Sequence, residues 1–218
     1  GKNLVGTFHH PSLILSDTSF LKTLKRREFL SGYAEAVKKA LIRDHDFFSW
    51  LELLDYKSLR EEKNVINIIY KSSKIKVDLV QQDEKEKGQR ALLNFGHTFA
   101  HALESANNYS NNLLHGEAVI IGCSLALKLS REYDLISSKE SKRVINHFKK
   151  LNYLTEINHI KSNNFNTKNL IDIMQQDKKV DNKKLSFILL KRIGEGIISK
   201  NVNMNKVKKI LTDSISFK

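Results

Sequence analysis

From Asp17 almost to its C-terminus this chain places apolar residues at every third or fourth position, and that spacing commits it to a helical fold. Glu28 to Leu41 carries Phe29, Leu30, Tyr33, Ala34, Val37, Ala40 and Leu41 as one stripe, and Asp46 to Leu54 repeats the pattern with Phe47, Trp50, Leu51 and Leu54. Ser58 to Gln82 reads as one long helix and Arg90 to Asn107 as another. Gly116 to Glu132 is apolar nearly all round and is therefore expected at the centre of the molecule. Ser138 to Lys150, Thr167 to Gln176 and Asn203 to Ser214 complete the set, and Asp17 or Thr18 caps a short helix through Leu24.

Two stretches break the pattern. Residues 3–17 hold short apolar runs around Gly6 and Pro11, which predicts extended structure with a turn. Leu185 to Leu190, followed by Gly194, Gly196 and Ile197-Ile198, predicts a small hairpin. The expected fold class is mainly α: a multi-helical bundle with short β segments near the N-terminus and around 185–198. Residues 1–17 read as the end of one domain and 18–218 as a second, helical one.

Composition narrows the function classes. A chain of 218 residues, 40% hydrophobic and 28% charged, can bury a core. The single cysteine, Cys123, excludes an internal disulfide and a cysteine-based zinc knuckle and fits a reducing compartment. The net charge of +13 is spread over scattered lysines without interleaved aromatics, so solvated helix faces are expected rather than a nucleic-acid surface. The longest apolar run, Ala118 to Ala126, is too short to cross a bilayer even when extended to Leu129, and the first residues carry no signal-peptide pattern. The expectation is a cytoplasmic protein with no membrane and no nucleic-acid partner. Absence of an initiator Met reads as a processed or truncated chain.

The chemistry concentrates in Arg90 to Glu104, where Asn94, His97, His101 and Glu104 follow at steps of 3, 4 and 3. On a continuous helix those steps stack them on one face, with Arg90 a further turn back. A polar stripe between Leu92, Leu93, Phe95, Phe99 and Leu103 needs partners, a metal or a ligand. His97 and His101 at i, i+4 can reach one metal ion, but Thr98 stands where a metalloprotease has glutamate. His115, at the start of the central helix, is a third candidate ligand. Glu35, between Ala34 and Ala36, is a fourth, with Lys38 three residues on. Each has a plain alternative: hydrogen-bonded core histidines, a helix cap, a solvated Glu–Lys pair.

These residues fall in motifs that resemble a known family. Gly32-Tyr-Ala-Glu-Ala-Val-Lys38, Asp83-Glu-Lys-Glu-Lys-Gly-Gln-Arg90, Leu93-Asn-Phe-Gly-His-Thr-Phe-Ala-His-Ala-Leu-Glu104 and Leu114-His-Gly-Glu-Ala118 resemble 3-dehydroquinate synthase. Gly1-Lys-Asn-Leu-Val-Gly-Thr-Phe-His-His-Pro11 resembles the end of that family's nucleotide-binding domain. Met174-Gln-Gln-Asp-Lys-Lys179 and Leu185-Ser-Phe-Ile-Leu-Leu190 resemble its C-terminal signature. The likeness runs in order over nearly the whole chain.

The resemblance implies a shikimate-pathway enzyme, a phosphate-eliminating carbon–oxygen lyase. It converts 3-deoxy-D-arabino-heptulosonate 7-phosphate to 3-dehydroquinate by transient oxidation with NAD, elimination, re-reduction and aldol closure. It implies Zn2+, or another divalent ion such as Co2+, on Glu35, His97 and His115, with His101 outside the metal shell. Acid–base roles match Glu86 and His101. Substrate contacts match Asn3, Lys38, Lys76, Arg90, Asn94 and one of Lys178 and Lys179. NAD contacts match Lys2 and Phe20, Leu21, Lys22 and Thr23. A homodimer is implied for the full-length protein.

Lys25 stands where the family usually has Pro, and Lys39 where it has an aromatic or similar residue. The family's Gly-rich nucleotide-binding domain would precede Lys2, so the chain is expected to be the C-terminal half, with weak or moderate zinc binding and little or no turnover alone. The competing readings are a sister sugar-phosphate cyclase, an iron-dependent alcohol dehydrogenase, and a basic helical nucleic-acid-binding module with structural histidines.

Overall fold

The computed structural model describes residues 5–6, 9–86, 88–161, 165–180 and 185–216, with the side chains of 177–180 outside that description. The α-helices among these are α1 (Arg26–Arg43), α2 (His45–Leu51), α3 (Tyr56–Leu59), α4 (Glu62–Gln82), α5 (His97–Ala106), α6 (His115–Glu132), α7 (Ser138–Lys150), α8 (Thr167–Val180) and α9 (Met204–Ser216). Strands β1 (Phe187–Arg192) and β2 (Glu195–Ser199) form an antiparallel hairpin, and Thr18–Thr23, Gln89–Asn94 and Ile157–His159 are single 3-10 segments.

Apolar on every side, α6 occupies the middle. Every residue from Ala118 to Leu127 is buried, and the helix packs against α1, α5, α7, α9 and β1. Local capping matches the sequence: Asp17, Asp44, Asp55 and Ser137 each accept a hydrogen bond from a backbone N–H of the first turn they precede. Phe187 to Leu190 of β1 are buried, and Leu190 N–H donates to Ser130 Oγ of α6 at 3.0 Å. At the hairpin turn, Gly194 N–H donates to Leu41 O at 2.8 Å, which ties the hairpin to the end of α1.

The helical bundle and the hairpin are as expected, and three elements differ. Among the described residues of 5–17 no strand forms. Leu13, Ile14 and Leu15 are 70–85% exposed, and a strand needs a neighbour to satisfy its backbone. The segment 58–82 is two helices, because Asp55 caps α3 and a new helix starts after Glu61. Arg60, at the joint, donates instead to Lys22 O at 2.9 Å and Leu24 O at 3.2 Å.

The third difference bears on function. Arg90 to Asn107 is not one helix. The 3-10 segment ends at Asn94, Gly96 adopts φ +79°, and α5 starts at His97. A Cβ on Gly96 would sit 2.6 Å from Cys123 N and 2.9 Å from Gly122 C, so the reversal presses directly on α6. Arg90 and Asn94 therefore do not share a helix face with His97, His101 and Glu104.

Elsewhere, α7 meets α1 through a buried polar pair. The Tyr33 hydroxyl and His147 Nε2 lie 2.8 Å apart, with His147 against Phe48 and Phe148. Burial, aided by the Lys150 charge, pushes His147 down to about 4. In the unfolded chain its value is the ordinary one near 6.5, so between the two values the unfolded state binds the extra proton. Stability from this group is complete above about pH 6.5 and is lost as pH falls toward 4. The expected loss is on the order of 3 kcal/mol. Urea unfolding from pH 7 to pH 4 should show a shallower decline in His147→Gln than in the parent; equal slopes would assign the decline elsewhere.

Candidate metal centre and its polar surroundings

Three side chains from separate helices converge at one end of α6. Glu35 comes from the middle of α1, His97 from the first position of α5 and His115 from the first position of α6. Glu35 Oε1 lies 3.6 Å from His97 Nε2 and 3.5 Å from His115 Nε2, and one donor atom from each residue lies within 4.8 Å of both others. Glu35 Oε1 is buried and accepts no hydrogen bond. An oxygen left unpaired between two imidazole nitrogens is the arrangement expected of ligands facing a cation, and one carboxylate with two imidazoles suits zinc or a similar divalent ion.

The atoms turned away from this centre are engaged. Glu35 Oε2 accepts from Lys38 Nζ at 2.8 Å, and Lys38 is only 3% exposed, so this is not the solvated surface pair that i, i+3 spacing alone allows. His97 Nδ1 lies 3.3 Å from Phe95 O, and His115 Nδ1 lies 3.2 Å from Glu104 Oε1. With Nδ1–H donated to each acceptor, a ring that has no proton on Nε2 presents its lone pair on the side of Glu35 Oε1.

Electrostatics follow this geometry. Burial works against ionisation of Glu35, but the His115 contact and the Lys38 ammonium outweigh it and hold its carboxyl well below the usual range. Burial and the Lys38 charge push His97 down to about 3, so its imidazole is neutral and its lone pair available at neutral pH. His115, against Glu104 and Glu35, is raised to about 9. Without a cation it is an imidazolium that offsets two carboxylates; a cation entering the centre displaces that proton.

One ridge of α1 aligns the centre with the first turn of α6. Arg27 donates to both carboxylate oxygens of Glu117, at 2.6 and 2.7 Å, and to the carbonyls of Asn111 and Asn112. Four residues on, Ser31 Oγ accepts from Gly116 N–H at 3.0 Å. A Cβ at Gly116 would land on the Ser31 backbone, so the approach requires glycine. Four residues further, Glu35 meets His115. Glu117 also accepts from Leu114 N–H at 2.8 Å, closing the helix start that carries His115.

The remaining expected site residues fall into other groups. Glu86, Arg90 and Asn94 form a second cluster: Asn94 Nδ2 donates to Glu86 Oε1 at 2.7 Å, and Arg90 Nε lies 3.9 Å from Glu86 Oε2. Glu86 has φ +51°, a backbone region uncommon for a side-chain-bearing residue. Asp83 shapes the same loop by accepting from the N–H groups of Gly88 and Arg90. His101 is exposed, one turn after His97, with ring centroids 5.2 Å apart and edge to face, and it is not among the three converging ligands. Lys76 is exposed on α4. Phe20, Lys22 and Thr23 are exposed on the 3-10 segment Thr18–Thr23, and Leu21 is half-buried there. Lys2 and Asn3, and the side chains of Lys178 and Lys179, lie outside the described residues.

Sequence reading assigned no task to Glu104, Arg27 or the Phe95 carbonyl. Glu104 carried a signal, a lone acid seven residues after His97 that directly follows buried Ala102 and Leu103. Arg27 carried none, since it acts across distant segments, and the Phe95 carbonyl, two residues before His97, carried none because a backbone oxygen leaves no trace in residue type.

Comparison with known proteins places this architecture. Residues 32–180 match the family model described as 3-dehydroquinate synthase C-terminal, and residues 1–31 match that described as 3-dehydroquinate synthase N-terminal. The chain belongs to the 3-dehydroquinate synthase family. The 3-dehydroquinate synthase of Ruegeria sp. (strain TM1040) is 43% identical over 217 residues, covering 99% of this chain and 58% of that protein. That of Ruegeria pomeroyi (strain ATCC 700808 / DSM 15171 / DSS-3) is also 43% identical, over 99% of this chain and 59% of its own length. The chain thus spans somewhat under three fifths of these synthases.

Two solved structures share the fold of this family member. The 2-epi-5-epi-valiolone synthase of Streptomyces hygroscopicus subsp. jinggangensis 5008, solved with NAD+ and Zn2+, superposes with TM-score 0.85 at 25% identity, over 99% of this chain and 59% of its own. A 2-deoxy-scyllo-inosose synthase, solved with carbaglucose-6-phosphate, NAD+ and Co2+, gives 0.82 at 25% identity, over 98% and 60%. In the described residues no helix is long and apolar enough to cross a membrane.

Proposed function

We propose that this chain is the metal- and substrate-binding part of a 3-dehydroquinate synthase, a phosphate-eliminating lyase acting on 3-deoxy-D-arabino-heptulosonate 7-phosphate with NAD. The carrying observation is Glu35 Oε1, buried and unpaired between the Nε2 atoms of His97 and His115. Residues 18–218 form the metal- and substrate-binding domain in this reading, and residues 1–17 the end of a nucleotide-binding domain. NAD and a homodimeric partner belong to the full-length enzyme, which works in the cytoplasm.

Glu35, His97 and His115 would hold Zn2+ or Co2+. The ion would supply polarisation of a substrate hydroxyl, lowering its pKa, and NAD would supply a hydride acceptor. The chain's own residues do the rest. Lys38, buried beside Glu35, keeps that carboxylate ionised and adds a positive charge at the sugar. Lys76 and Arg90 bind phosphate by charge, and the Arg90 guanidinium is held in place by the bond from its Nη1 to Glu84 O. Asn94 orients Glu86 through its amide and offers a carbonyl to a sugar hydroxyl. Glu86 and His101 accept and return protons around the elimination. Phe20 to Thr23 contact the nucleotide, and Lys2, Asn3 and one of Lys178 and Lys179 complete the contacts.

A sister cyclase is the second reading, favoured by the superposition on valiolone and inosose synthases. The 43% relatives named as dehydroquinate synthases weigh for the first. The test joins this chain to the nucleotide-binding half of the Ruegeria sp. enzyme and assays phosphate release with NAD and Zn2+. Release from the heptulosonate phosphate with formation of 3-dehydroquinate is expected. Release only from other sugar phosphates would transfer the chain to the sister reading, and release from none would end both.

A further inference from the structure

We infer that Glu104 is a positioning residue of the metal centre: its carboxylate fixes the tautomer and ring direction of His115 and thereby sets divalent-cation affinity. The inference rests on the reading of Glu35, His97 and His115 as ligands and adds a residue to which no role has been given.

Glu104 is 5% exposed and lies on α5 two turns beyond His97, directly after buried Ala102 and Leu103. A carboxylate in such surroundings is costly unless a cationic or donor group meets it. His115 Nδ1, 3.2 Å from Glu104 Oε1, is one such group. An imidazole has two nitrogens, and the one that donates to an acceptor leaves the other as the ligand. With Nδ1–H committed to Glu104, Nε2 faces Glu35 Oε1 at 3.5 Å, and the His115 and His97 ring centroids are 5.5 Å apart. The carboxylate also makes the imidazole a stronger electron donor.

The two histidines are held by different means. His97 is oriented by the Phe95 carbonyl, which no side-chain substitution removes. His115 depends on a replaceable side chain from a different helix. Because α5 carries both His97 and Glu104, it supplies one ligand and directs the other.

The test compares this chain with Glu104→Gln and Glu104→Ala. Zinc affinity is measured by competition with a chromogenic chelator, the Co2+ absorption spectrum reports ligand geometry, and urea unfolding of the metal-depleted forms reports stability. Glu104→Gln keeps an acceptor oxygen and is expected to lose about tenfold in zinc affinity; Glu104→Ala is expected to lose about a hundredfold. The Co2+ bands should shift in both, and the affinity loss should exceed any loss of stability in Glu104→Gln. Parent-like affinity and Co2+ spectrum in Glu104→Gln would overturn the inference while leaving the ligand set intact. A parent chain that takes up no stoichiometric zinc would overturn the ligand reading itself, and the inference with it.

Discussion

His115→Ala is expected to abolish stoichiometric zinc binding, with an affinity loss beyond the 10–100-fold typical of outer-shell changes. The substitution removes one of three converging donors and leaves Glu35 Oε1 facing His97 alone. Glu35→Gln should act in the same direction for a different reason. It preserves the shape of the side chain but replaces an anionic oxygen with a weaker neutral donor and leaves Lys38, 3% exposed, beside an uncharged amide. Metal analysis by emission spectroscopy after dialysis, alongside circular dichroism to confirm folding, decides the matter. Retention of one zinc per chain in both variants would move the ligands elsewhere.

The second large effect concerns the other cluster. Glu86→Gln, in the chain joined to a nucleotide-binding half, is expected to lower kcat by about 10^2–10^4-fold while zinc content stays at the parent level. The glutamine can still accept from Asn94 Nδ2, now 2.7 Å from Glu86 Oε1, so orientation survives and the proton acceptor is lost. Near-parent turnover would remove Glu86 from the acid–base role. A fall in zinc content instead would show that the loop at 83–88 supports the metal centre rather than the proton transfers.

The sequence carried most of the helical fold because burial and period coincide. Every expected stripe on α1, α2, α6 and α7 faces the core, and the hairpin showed itself through an apolar run followed by two glycines. The extended segment before Asp17 looked like strand because Leu13, Ile14 and Leu15 have the composition of one, yet they stand exposed. Composition records a preference for burial and not the surface that satisfies it. The polar stripe from Arg90 to Glu104 had helical steps throughout. Gly96 cuts it, and the reason is a backbone contact with Gly122 and Cys123, more than twenty-five residues later, that no local pattern encodes. The residues themselves put forward Glu35, His97, His101 and His115 as candidate ligands, and only the family resemblance left His101 outside the metal shell. Spacing alone favoured His97 with His101, which are neighbours on α5 but do not both face Glu35.

The alignment of Arg27, Ser31 and Glu35 with the start of α6 limits how this protein can change length. An extra residue inserted between Arg27 and Glu35 would turn everything beyond it by about 100°. It would break register with Glu117, Gly116 and His115 at once. Insertions and deletions should therefore be absent from that stretch among working homologues.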